Sequence, residues 1–140
     1  MRLFLDTEFN GFGGELISMA LVPEEGTAWY EVCELPAVIN PWVKEHVLPA
    51  LRKPAIPLNV MRSLFHIYIS QFESPDVYCD WHADAEHFCR LLEGNDYGSS
   101  LDFACSLHVL KTPKGVPISA DPHNALADAL GLKVWYLNGR

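Results

Sequence analysis

Residues 4–9 read FLDTEF, an apolar run of strand-like composition with Asp6 and Glu8 set two positions apart inside it. Side chains at i and i+2 of a strand point the same way. The two carboxylates therefore share one face, and Leu5, Thr7 and Phe9 share the other. Neighbouring like charges on a largely buried strand repel each other and are costly to desolvate. A fold that accepts this strand either ends it at solvent, with both acids hydrated, or compensates the charge. A divalent cation is the simplest compensation, because hard metals take carboxylate oxygens.

The surrounding sequence builds on that strand. Residues 1–9 form it, and residues 11–14 (GFGG) read as a turn, since glycine accepts positive φ at little cost. Residues 16–22 (LISMALV) are an almost unbroken apolar run, and residues 27–32 read as a third, edge strand. Together the three suggest an antiparallel meander.

The period then changes. Asn40 before Pro41 suits a helix cap and first position. Val43, Val47, Leu48 and Leu51 recur at helical spacing, and Pro49 kinks or ends that helix. A second helix is marked by Leu58, Met61, Leu64, Phe65, Tyr68, Ile69 and Phe72. Residues 77–79 read as a short buried strand, and residues 84–93 as a helix with Phe88, Leu91 and Leu92 inward. Residues 101–110 read as a strand in preference to a helix, and 111–122 (KTPKGVPISADP) as a loop. Residues 124–132 form a last helix, which 134–137 extend or follow with a small strand. Strands first, then helix and strand in alternation, imply an α/β fold: a mixed β-sheet flanked by α-helices. With 140 residues, 49% of them hydrophobic, the chain suits one domain over 1–140 with a sizeable core.

A formal net charge of −8 argues against a large nucleic-acid footprint, which needs clustered Lys and Arg. It leaves room for a small one, because bound divalent cations reverse the local sign. No stretch approaches the roughly 18 apolar residues of a membrane span, and the N-terminus has no long apolar segment of a secretion signal. The four cysteines form no CxxC pair, which speaks against structural zinc, and two lie in apolar runs (VYC, DFAC) where small buried thiols are common, so they read as reduced in a cytoplasmic protein.

Two further segments hold chemistry. In DPHNALADAL (121–130), His123 precedes a short Ala-rich helix bearing Asp128. If both were helical, five residues would set them roughly 140° apart. His123 fits better on a mobile lip before the helix, with Asn124 as cap, so that both side chains converge. Ala125, Ala127 and Ala129 let the helix approach the sheet and bring Asp128 near the first strand. A capping His with a solvated Asp is the plainer reading. In CDWHADAEHF (79–88), a buried strand ends at Asp80 and Asp84 opens a helix, where an acid ordinarily serves the helix dipole.

These three segments resemble the three motifs of the DnaQ-like, DEDDh 3′–5′ exonucleases. Asp6-Thr7-Glu8 matches the first, D-x-E, with Phe9 where Thr is usual. Residues 123–129 (HNALADA) match the third, HxALxDA. The middle motif, usually H-N-x-x-F-D, lays Asp84 on the metal-binding acid and Asp80 on the usual Asn. Cys79 and Ala83 replace its His and Phe, and His87 stands where an apolar residue is common. DTEF, LDFAC and HNALADA look similar to the small bacterial exoribonucleases with an Rv2179c-like domain, near ribonuclease T and oligoribonuclease.

The resemblance implies an RNase H-like fold and hydrolysis of phosphodiester bonds at the 3′ end of single-stranded or short RNA. It implies two Mg2+ or Mn2+ ions about 4 Å apart, bridged by Asp6 and completed by Glu8, Asp84 and Asp128, with Asp80 as the substitute for Asp84. His123 becomes the general base, a task suited to a side chain that ordinarily titrates near neutrality. Phe9, Phe12 and Trp81 lie close to the motif acids and either stack on terminal bases or pack as core. Lys111 and Lys114 are phosphate contacts or solvated loop lysines. RNA 3′ ends or short oligonucleotides are the expected partners, with no membrane, and a homodimer is in keeping with similar enzymes. A DNA exonuclease and a catalytically silent RNase H-like module are the alternatives.

Overall fold

The computed structural model describes residues 1–114 and 118–139. The centre of the expected loop, 115–117, lies outside the described residues. Strands β1 (Arg2–Phe9), β2 (Leu16–Pro23) and β3 (Trp29–Cys33) form the expected antiparallel meander. Helix α1 (Pro41–His46) and a 3-10 turn (Leu48–Ala50) lead to β4 (Ala55–Ile56) and α2 (Leu58–Ile69). Then come β5 (Asp76–Cys79), α3 (His82–Leu92), β6 (Ser106–Val109) and α4 (Ala125–Leu137). The sheet has six strands in the order β4-β3-β2-β1-β5-β6, with β4, β5 and β6 each parallel to their inner neighbour. This mixed, helix-flanked α/β architecture is consistent with an RNase H-like fold. Among the described residues no helix is long and apolar enough to cross a membrane.

The alternation of β1 divides the core. Leu3 and Leu5 face α2 and α3, where they pack with Met61, Phe65, Ile69 and Phe88. Phe4 faces α4 and packs with Ala20, Ala125, Ala129 and Leu132. Ala125 and Ala129 are fully buried, so the small side chains do seat α4 close to the sheet. Gly131 instead admits the preceding loop against α4: a Cβ there would lie 1.9 Å from the Ile118 carbonyl oxygen.

Several sequence expectations need correction. Strand β3 is not an edge, because the two-residue β4 pairs with Val32 and Cys33. Two residues carry no periodicity that a pattern can register. On α2, Met61, Phe65 and Ile69 are buried at a spacing of four, whereas Leu58 and Leu64 face solvent. Residues 134–137 extend α4, the first of the two expected readings. Of residues 101–110, only 106–109 are strand.

One irregularity bears on function. The β1–β2 register shifts between Glu8 and Phe9, since Glu8 pairs with Ser18 and Phe9 with Leu16. The extra residue, Ile17, turns into a separate cluster with Val43, Val47 and Leu51. Bulges of this kind bend a strand and re-aim side chains. Here the bulge ties the α1 segment to the end of β1 that carries the acids.

Candidate active site

Strand β1 outruns its neighbour. Its pairing with β5 covers only Arg2 to Phe4. Beyond that point the chain of β5 turns away through Asp80 and Trp81 into α3. Asp84, in the first turn of α3, occupies the space beside β1: its Oδ1 accepts from the Thr7 amide (3.2 Å) and the Thr7 hydroxyl (2.6 Å). A carboxylate thus takes the backbone donor that a strand would otherwise satisfy. Thr7 is a site residue the sequence reading missed. Parity sets Thr7 on the apolar side of β1, where its partner in the helix bearing Asp84 leaves no local signal.

Across the sheet, α4 lowers Asp128 toward Asp6 and Glu8, and one carboxylate oxygen from each of these three residues lies within 4.8 Å of the others. Asp6, Asp80 and Asp84 form a second such triad, again within 4.8 Å. Asp6 belongs to both. Asp84 and Asp80, the second read from the sequence only as a substitute for the first, are brought together.

Burial makes this cluster costly. It raises the Asp6 carboxyl well above the ordinary range, helped by the charges of Asp84, Glu8, Asp128 and Asp80. Glu8 is pushed up to about 8 by burial and by Asp128 and Asp84. Asp84 is raised to about 7 by burial, against the pull of the Thr7 hydroxyl. Asp128 is raised by burial, against hydrogen bonds from the Ser119 hydroxyl and the His123 amide. Asp6 Oδ2 and Asp128 Oδ1 are buried without a hydrogen-bond partner. Orphaned anionic oxygens at the meeting point of two all-oxygen triads fit hard divalent cations, whose ligands are carboxylates.

His123 sits on the rim of the same cleft in a left-handed conformation (φ 68°), uncommon for a non-glycine residue. Its amide donates to Asp128 Oδ2 at 3.2 Å. Asn124 caps α4 by accepting from the Ala127 amide at 3.0 Å, as the sequence suggested. The lip is more firmly held than expected, because Asn124 Nδ2 donates to the Ala50 carbonyl (2.8 Å) and Arg52 pairs with Asp121 (2.7 Å). Asn124→Ala removes the cap and leaves a buried carbonyl without its donor. It is expected to destabilise the protein by about 2 kcal/mol, read as a shift in the urea midpoint at unchanged slope.

The cleft holds about 470 Å³ above the acids. Phe9, Phe12 and Trp81 line it as one aromatic group, with Trp81 packed edge-on to Phe9 (6.1 Å) and Phe12 (5.6 Å). Phe12 is 88% exposed and Trp81 42%, whereas Phe9 also rests on the buried His87 at 5.2 Å. The sequence reading missed a second group. Trp42, 51% exposed, stacks on His46 at 4.5 Å and meets His123 edge-on at 5.1 Å. Asn40, whose Oδ1 caps α1 by accepting from the Trp42 amide at 2.9 Å, is itself fixed because its own amide donates to Asn10 Oδ1 at 2.8 Å. No local pattern marks Trp42, because its place depends on α1 folding back over the bulge. Lys111 and Lys114 are exposed and do not line the cleft.

Fold and site together define an α/β protein with a candidate cation-binding cleft at the ends of β1 and β5. No protein-family model matches the chain. Two curated proteins of Mycobacterium tuberculosis are similar to it: the 3′-5′ exoribonuclease Rv2179c of strain H37Rv and the 3′-5′ exoribonuclease MT2234.1 of strain CDC 1551. Each is 40% identical over 76 residues, which cover 51% of this chain and 45% of the relative. The chain spans about half the length of the curated relatives it matches.

Proposed function

We propose that the chain is a metal-dependent 3′–5′ exoribonuclease of the DEDDh type, acting on the 3′ ends of single-stranded or short RNA. The observation that carries this reading is the pair of carboxylate triads sharing Asp6. The names of the two relatives support the polarity and the substrate.

Asp6, Glu8, Asp84 and Asp128 would hold two Mg2+ or Mn2+ ions. When bound, such ions supply charge stabilisation to the attacking and leaving oxygens of an in-line displacement. His123 takes the proton of the attacking water at its imidazole nitrogen. Its backbone, fixed by Asp128, keeps the ring at the rim, and the edge of Trp42 limits its rotation. Phe12 and Trp81 offer faces for terminal bases, and Trp42 borders the same space. Aromatic stacking is indifferent to sequence, since every base has a π-face. No Lys or Arg lines the cleft among the described residues, so the grip on a long polyanion is weak and short substrates are favoured.

The test uses 3′-labelled and 5′-labelled single-stranded RNA and DNA oligomers with Mg2+, Mn2+ or EDTA. A 3′ label released first as mononucleotide, faster from RNA than from DNA and abolished by EDTA, is the expected result. Hydrolysis that persists in EDTA, or loss of the 5′ label first, overturns the proposal.

A further inference from the structure

We propose that Asp80 is a fifth carboxylate of the cation site, acting beside Asp84 rather than in its place. The inference rests on the nuclease reading above and goes beyond the four acids it requires. The β5–α3 turn is short, with only Trp81 between Asp80 and the first residue of α3. It therefore delivers two acids, one from the strand end and one from the first helical turn, to the same side of Asp6. Oxygens of Asp6, Asp80 and Asp84 lie within 4.8 Å of one another. Ligands on opposite sides of an octahedral Mg2+ stand about 4.2 Å apart, twice its bond length, so a bound ion would draw the three carboxylates together only slightly.

Each of the two acids is steadied through one oxygen. Thr7 donates to Asp84 Oδ1, and the Thr112 hydroxyl donates to Asp80 Oδ2 at 3.3 Å. Such outer hydrogen bonds orient metal ligands and leave the second oxygen for the ion. The buried, unpartnered Oδ2 of Asp6 is the independent sign that something cationic belongs between them. Asp80 also borders a smaller pocket of about 250 Å³ with Ser119 and Pro122, so it stands where the cleft and that pocket meet. Five carboxylates against two divalent cations leave the loaded cage one negative charge in excess. The chain gains cation affinity by this arrangement and loses attraction for phosphate.

The experiment is calorimetric titration of the metal-free protein with Mn2+, on wild type, Asp80→Asn, Asp80→Ser and Asp84→Asn, with the melting temperature in EDTA as a fold control. Asn keeps an oxygen for Thr112 and removes only the charge. Both Asp80 variants are expected to bind Mn2+ at least about tenfold more weakly than wild type, with melting in EDTA unchanged or raised. Wild-type affinity in both Asp80 variants, with binding weakened in Asp84→Asn, overturns the role of Asp80 and leaves the nuclease reading standing. A wild-type protein that binds no Mn2+ at millimolar concentration overturns both.

Discussion

Asp6→Asn is expected to reduce hydrolysis of a labelled RNA oligomer by at least about 100-fold, and at the same time to stabilise the metal-free protein. The two effects share a cause. Asp6 is the one residue common to both carboxylate triads, so its charge serves both cation positions. Losing it removes several kcal/mol of transition-state stabilisation, and each 1.4 kcal/mol is about tenfold in rate. Without cations, however, the same carboxylate is buried beside the charges of Asp84, Glu8, Asp128 and Asp80. Asn has the same shape and no charge, so the fold no longer opposes that repulsion. A residue kept for packing would behave otherwise, losing stability and activity together. Turnover above about one per cent of wild type, or a melting temperature in EDTA several degrees below wild type, would sink the assignment of Asp6 as shared ligand.

What the sequence reveals of this site depends on how local each signal is. The facing of Asp6 and Glu8 follows from strand parity alone, and β1 realises it. The Asn124 cap and the alanines of α4 are equally local, and they bring Asp128 to the first strand. Asp84 was preferred with Asp80 only as its substitute, because whether both reach the site turns on the path of the chain between β5 and α3. Only the folded turn reveals that both arrive. Thr7 was hidden by the same parity that exposed its neighbours: it lies on the apolar side, and its partner is 77 residues away. Trp42 and His46 were beyond reach for a different reason. Their position is set by the Ile17 bulge and the Asn10–Asn40 bond, two long-range features with no periodic trace. The two-residue β4 is too short to carry any pattern.

The electrostatic cost of the site predicts an inverted response to pH. In EDTA the protein is expected to be less stable at pH 8 than at pH 6.5, by about 2 kcal/mol, which is roughly 5 °C or more in melting temperature for a chain of this size. Glu8 and Asp84 have folded-state pKa values raised to about 8 and about 7. An unfolded Glu or Asp ionises well below this window. The folded protein therefore holds protons that the unfolded chain has already released. A group of this kind contributes its full stability below the unfolded pKa and loses it as pH rises through the folded one. His87 shifts the other way, lowered by burial. Its contribution is lost on acidification through its ordinary value, so between pH 6.5 and 8 it offsets only a small part of the loss. Saturating Mg2+ should reverse the trend, because cations bind the ionised carboxylates and release their protons. The gain in melting temperature on adding Mg2+ is then larger at pH 8 than at pH 6.5. Glu8→Gln removes the group that titrates highest and should flatten the EDTA curve. Equal melting in EDTA at both pH values would mean that the carboxylates of β1 and α3 are not confined as the structure has them, and the case for a cation cage would lose its physical basis.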